Sequence, residues 1–160
     1  MENTPRISAE TGALGYLARN ITFNGDIDIP VLTLHTTGDE LVPVQNEQPY
    51  WAIAHRGDDA SLLRREFVHR GGHCNFTIAE DLAGLQLLTS RIDFGVWPDS
   101  SPDDLNAAAA AFGSRYNKLP QPPPQPVLQP AFVEYKPAPF LRPFNARDVS
   151  ASDVGTSGIK

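Results

Sequence analysis

Ile29-Pro30-Val31-Leu32-Thr33-Leu34-His35-Thr36-Thr37-Gly38-Asp39-Glu40-Leu41-Val42-Pro43 is the stretch on which the architecture turns. Residues 29–36 form a short apolar run rich in β-branched side chains, the pattern of a strand covered on both faces in a parallel sheet. Thr37 to Pro43 breaks the run with turn-forming residues. Val44 to Arg56 then reads as helical, with Pro49 tolerable only in its first turn. A second strand is expected over Leu62 to His69, ending against Gly71-Gly72, which no helix or strand interior favours. Strand, helix, strand, helix is a parallel α/β pattern. Doubly wound sheets usually hold five or more strands, so two strands predict only a piece of a larger sheet.

Thr77-Ile78-Ala79-Glu80 matches a capping box, so a helix should begin at Ile78. Ile78, Leu82, Leu85, Leu88 and Ile92 keep helical spacing, and that stripe is expected to pack on the sheet. Ser101-Pro102-Asp103-Asp104 supplies a Ser cap and a first-turn proline for a helix ending near Gly113. Upstream, Ser8 is a candidate cap for a helix through Asn20, whose apolar face would comprise Ala9, Ala13, Leu14, Tyr16 and Leu17. Nine of the 15 prolines fall between Pro120 and Pro143, so this region favours extended polyproline II and cannot form a core alone. Phe132, Tyr135, Phe140, Leu141 and Phe144 are too apolar for a free tail and should lie along a larger body. The chain is therefore divided into a folded portion over 1–113, a Pro-rich extended segment over 114–147 and a disordered tail over 148–160.

Formal net charge is -6 and the basic residues are scattered, so no cationic stripe exists for a phosphate backbone or an anionic lipid surface. Neither nucleic acid nor membrane is an expected partner. The single cysteine cannot form an internal disulfide, and the N-terminal residues lack the charged and apolar regions of a secretory signal. The compartment is left open.

Asp39 lies just beyond the first strand and His73 just beyond the second, at the sheet edge where open α/β folds place reacting groups. An imidazole acting as general base needs its other ring nitrogen held by an acceptor, and a carboxylate both fixes the tautomer and stabilises the imidazolium. An Asp in such a loop is more often only a turn residue. His69, His73 and Cys74 raise zinc as an alternative, but i, i+4 histidines converge only on a helix, which Gly71-Gly72 opposes. Cys74 as a nucleophile is disfavoured because neighbouring side chains are expected to point apart. No metal or cofactor is expected.

His35 to Pro43, with Asp followed by two residues and Val-Pro, resembles the acid loop of the α/β-hydrolases. Gly71-Gly72-His73 resembles their histidine loop. Phe67-Val68-His69-Arg70-Gly71-Gly72-His73-Cys74-Asn75-Phe76-Thr77, with Phe140-Leu141-Arg142-Pro143-Phe144, is similar to a branch of microbial hydrolases, some of them secreted; the resemblance covers about residues 5 to 145. It implies the C-terminal fragment of a doubly wound, mostly parallel hydrolase sheet with a Pro-rich extended tail. The family order is Ser, then acid, then His, and 34 residues separate Asp39 from His73. The resemblance thus implies catalytic roles for Asp39 and His73 in cleaving a small-molecule ester or amide.

The family's Gly-x-Ser-x-Gly elbow is absent, and Ser8, Ser61, Ser90, Ser100, Ser101 and Ser114 lack the flanking glycines. The expected partner is therefore a missing N-terminal hydrolase segment carrying nucleophile and oxyanion hole, without which the chain should be inactive. Two alternatives stay open: a non-catalytic scaffold whose proline-rich segment binds a partner, and a relative of the hydrolases that use an Asp nucleophile.

Overall fold

A computed structural model describes residues 9–21, 23–56 and 60–139. Of two units, the smaller contains helix α1 (Thr11–Asn20), and the larger, Gly25–Pro139, contains all the other described elements. The start of α1 differs from the sequence expectation. Glu10, in an extended conformation, occupies the cap position without a side-chain capping bond, and its carbonyl accepts the Leu14 N–H. Ser8 lies outside the described residues.

Within the larger unit, β1 (Val31–Gly38) is followed by a 3-10 turn at Val44–Asn46 and by α2 (Glu47–Ala54). Pro49 falls in the first turn of α2, where its missing N–H leaves no bond unmade. A second 3-10 turn (Ala60–Leu62) leads into β2 (Leu63–Gly71), which pairs parallel with β1 in the register Val31 to Leu63 through Thr36 to Val68. Helix α3 (Ile78–Phe94) and helix α4 (Pro102–Ala111) follow. Both start as the sequence predicts: Thr77 and Glu80 form the reciprocal capping box, and the Ser101 hydroxyl accepts the Asp104 N–H.

The sheet has three strands in the order β1-β2-β3, because the two residues of β3 (Phe132–Val133) pair antiparallel with Val68 and Phe67. The architecture is α/β with a small mixed sheet. Its third strand comes from the proline-rich segment, in which the sequence shows no strand signal. Asn106 on α4 fixes it, accepting the Phe132 N–H at 2.8 Å and donating to the Phe132 carbonyl at 3.0 Å. Phe132 is buried, and the rings of Tyr135 and Phe67 lie 5.5 Å apart. Phe140, Leu141, Phe144 and the tail 148–160 lie outside the described residues.

Alternation along the strands assigns the two faces. Thr33 and Arg65 point toward α2, bonding the Glu47 side chain and backbone carbonyl respectively. Val68 points to the other face, where it joins Ala79, Ala83, Leu87, Leu105, Ala109 and Phe132 in the main core.

The packed face of α3 corrects the expected stripe. Its buried residues are Ala79, Glu80, Ala83, Gly84 and Leu87, whereas Leu85 and Ile92 are 55% and 60% exposed. At Gly84 the helix comes close to β1: a Cβ there would stand 2.8 Å from Leu34 Cδ1, which would have to move aside. Leu85 and Ile92 are left facing outward, while Ile78, Leu82 and Leu88 are half-buried.

Candidate active site

The two loops at the C-terminal ends of β1 and β2 are locked together before any side chain of the site is considered. The Gly72 N–H donates to the Gly38 carbonyl at 3.1 Å, and the Thr36 hydroxyl, almost fully buried, donates to the Gly72 carbonyl at 2.7 Å. Glycine at 38 suits this approach, since a Cβ there would meet Gly71 Cα at 3.2 Å and the Arg70 carbonyl at 3.3 Å and would press the two loops apart by a few tenths of an ångström. Gly72, at φ +97°, makes the turn that returns the chain over the sheet edge.

The far side of the histidine loop is tied to the core by Arg70. Its guanidinium grips the fully buried Glu80 carboxylate at 2.5 and 3.0 Å and also donates to the Asn75 carbonyl at 3.0 Å. Glu80 in turn accepts the Thr77 N–H at 2.7 Å and the Ala131 N–H at 2.9 Å. The capping glutamate of α3 is therefore also the post to which the loop over 71–77 and the strand β3 are moored. The capping-box motif marks Glu80, but not Arg70 or Thr36 as supports of the loop. Those residues carry no motif of their own.

These supports bring Asp39 and His73 together: His73 Nδ1 lies 2.8 Å from Asp39 Oδ2. Asp39 Oδ1 accepts the N–H groups of Leu41 at 2.9 Å and Val42 at 2.8 Å, so Asp39-Glu40-Leu41-Val42 is a local turn that aims the second oxygen at the ring. Withdrawal from solvent pushes the Asp39 carboxyl upward, but the Val42 N–H, His73 and the Leu41 N–H outweigh it and hold the pKa at about 2, below the ordinary 3.8. An ionised carboxylate only accepts, so Nδ1 carries the hydrogen and the neutral ring has its lone pair on Nε2. The Asp39 side chain is 4% exposed and that of His73 is 41% exposed, so the acid is shielded while the imidazole is reachable.

Cys74 departs from expectation. At φ +49° it is the one non-glycine residue with positive φ among the described residues, and its Sγ lies 3.4 Å from His73 Nε2 rather than pointing away. His69 takes no part in the pair; its Nδ1 faces the Thr37 hydroxyl at 3.3 Å. His35 is buried in β1, and exposed His55 stacks on Trp51. Among the described residues no group of three or more His, Cys, Asp or Glu is placed to hold a metal ion.

An α/β unit with an oriented carboxylate-imidazole pair at the carboxyl ends of parallel strands can perform base-assisted chemistry. No family model matches the chain. No solved structure matches it either. The chain is 41% identical over 114 residues to an o-phthalyl amidase of Xanthobacter agilis, a match covering 69% of this chain and 25% of that protein. The chain thus has a hydrolase-like relative, of whose length it spans about a quarter.

Proposed function

We propose that this chain is the acid-and-base portion of a serine hydrolase acting on an amide or ester. His73 Nε2 would take the proton of a serine hydroxyl and return it to the leaving group. Asp39 would hold Nδ1–H and stabilise the imidazolium formed between those steps. The observation that carries this reading is the 2.8 Å contact of Asp39 Oδ2 with His73 Nδ1, with Asp39 fixed from behind by two backbone N–H groups. The amidase relative supports amide cleavage, and amides of aromatic acids are the substrate class to try first.

The serine and oxyanion hole would come from a further polypeptide segment that extends the doubly wound sheet. Two surfaces support this. Among the described residues β1 has a strand beside it on one side only, and Val31–Leu34 are half-buried where a parallel strand is normally covered. Leu85 and Ile92 are exposed apolar side chains on α3, the helix that packs against Leu34.

A chimera tests the reading: the matched segment of the amidase is replaced by the corresponding residues of this chain. Hydrolysis of a phthalyl amide should persist, and His73→Ala and Asp39→Asn should each lower kcat by roughly 10³ to 10⁵. His69→Ala should cost at most about tenfold, since its ring lies outside the pair. A folded chimera that is inactive, or that tolerates loss of His73, would rule the proposal out in favour of a scaffold role.

A further inference from the structure

The nitrogen that would serve a serine already has a partner inside this chain. Cys74 Sγ lies 3.4 Å from His73 Nε2, and His73 Nδ1 lies 2.8 Å from Asp39 Oδ2, so thiol, imidazole and carboxylate stand in line across two loops. A nucleophile within reach of a base that a third group orients is the arrangement that activates a nucleophile. The feature is this three-group relay, with the carboxylate already ionised, rather than the thiol alone. Cys74 is exposed, and its left-handed backbone is what turns Sγ back onto the ring.

We propose that Cys74 is a covalent modification site whose thiol, activated by the His73–Asp39 pair, takes small disulfides. The Sγ proton passes to His73 Nε2, and the thiolate attacks one sulfur of the disulfide. The Cys74 S–S bond forms as the S–S bond of the reagent breaks, and the second sulfur leaves as a thiolate that is protonated from the imidazolium or solvent. The thiolate's electron pair makes the new bond and the pair of the broken bond leaves with the second sulfur, so the Cys74 sulfur is oxidised as the departing sulfur is reduced. The adduct then stands in front of Nε2. A further consequence rests on the proposed function: a hydrolase using this base would be inactive while the adduct remains, and thiol reduction would restore it.

The test uses the full chain and dithiobis(nitrobenzoate), with release of nitrothiobenzoate followed at pH 6, where ordinary thiols react slowly. As Cys74 is the single cysteine, the signal assigns itself. The folded chain should react about fivefold or more faster than the same chain in urea. His73→Gln and Asp39→Asn, checked for folding by circular dichroism, should lose most of that acceleration. The mixed disulfide should also shift the ring resonances of His73 more than those of His35, His55 or His69, reversibly with dithiothreitol. Equal rates in the folded chain and in urea, or an acceleration that survives both substitutions, would overturn the proposal. No serine and no amide substrate enter this assay, so an inactive chimera with a fast thiol, or an active chimera with a slow one, would separate this inference from the proposed function.

Discussion

Replacing Glu80 by Gln should be among the most destabilising single-atom changes in this chain. The carboxylate is fully buried and accepts from both terminal nitrogens of Arg70, from the Thr77 N–H and from the Ala131 N–H. A glutamine keeps one accepting oxygen but turns an N–H₂ toward groups that are themselves donors. It also removes the charge paired with Arg70, whose side chain is only 13% exposed. Breaking a buried pair from one side costs roughly 3–5 kcal/mol, because the remaining charge loses its partner without regaining water. In a unit the size of Gly25–Pro139, each kcal/mol lowers the melting temperature by about 4 °C, which gives a loss of about 12–20 °C. Thermal unfolding followed by circular dichroism measures it, and proton NMR of the His73 Nδ1–H should show the loop loosening in parallel. Arg70→Met alone should cost a similar amount, whereas Arg70→Met combined with Glu80→Leu should cost clearly less than the two single changes added together. A drop of less than about 4 °C for Glu80→Gln, or strict additivity in the cycle, would show that the loop is not moored through this pair.

Three further outcomes follow from the same geometry. Because Asp39 is held at about 2 against an ordinary 3.8, its contribution to the fold should be complete above about pH 4 and lost as pH falls toward 2; a His73 Nδ1–H resonance vanishing with a midpoint near 4 would contradict that depression. Thr36→Val removes the donor to the Gly72 carbonyl, should cost about 1–3 kcal/mol in urea unfolding, and should broaden the same resonance; an unchanged spectrum would deny Thr36 its positioning role. Gly38→Ala should destabilise by about 1–3 kcal/mol, since the clash is with backbone of β2 that cannot rotate away, and wild-type stability in urea would show that the two loops can separate.

What the sequence shows of this site is what short-range chemistry determines. Asp39 with Val42-Pro43, the Thr77–Glu80 box and the Ser101-Pro102 start each act over a few residues, and each appears in the structure where the spacing predicts. The positions of Asp39 and His73 follow from the ends of two strands, which the apolar runs mark to within two residues. Whatever depends on a distant partner is hidden. β3 is two residues long and exists because Asn106 and the backbone of β2 receive it, so no periodicity announces it. Adjacent side chains ordinarily diverge, and the turn of Cys74 onto His73 requires a positive φ that nothing in Gly-Gly-His-Cys specifies.

The inverted face of α3 has the most to say about function, because there a correct pattern yielded a wrong partner. The stripe Ile78, Leu82, Leu85, Leu88 and Ile92 is a real apolar face, yet Ala79, Glu80, Ala83, Gly84 and Leu87 are the residues that pack inward, with Gly84 set close against Leu34. Hydrophobic spacing identifies a face to be covered, not the element that covers it. Leaving Leu85 and Ile92 more than half exposed forgoes roughly 1–2 kcal/mol for each side chain that full burial would supply. Among the described residues β1 has a neighbouring strand on one side only, and under the proposed function further parallel strands would pair on the other. Parallel neighbours end at the same edge of a sheet, spaced about 4.8 Å apart. Strands added there would finish beside Asp39 and the exposed ring of His73, where a base of this geometry needs its nucleophile. Under the proposed function, a segment paired beside β1 would therefore bring its nucleophile to the sheet edge that carries Asp39 and His73.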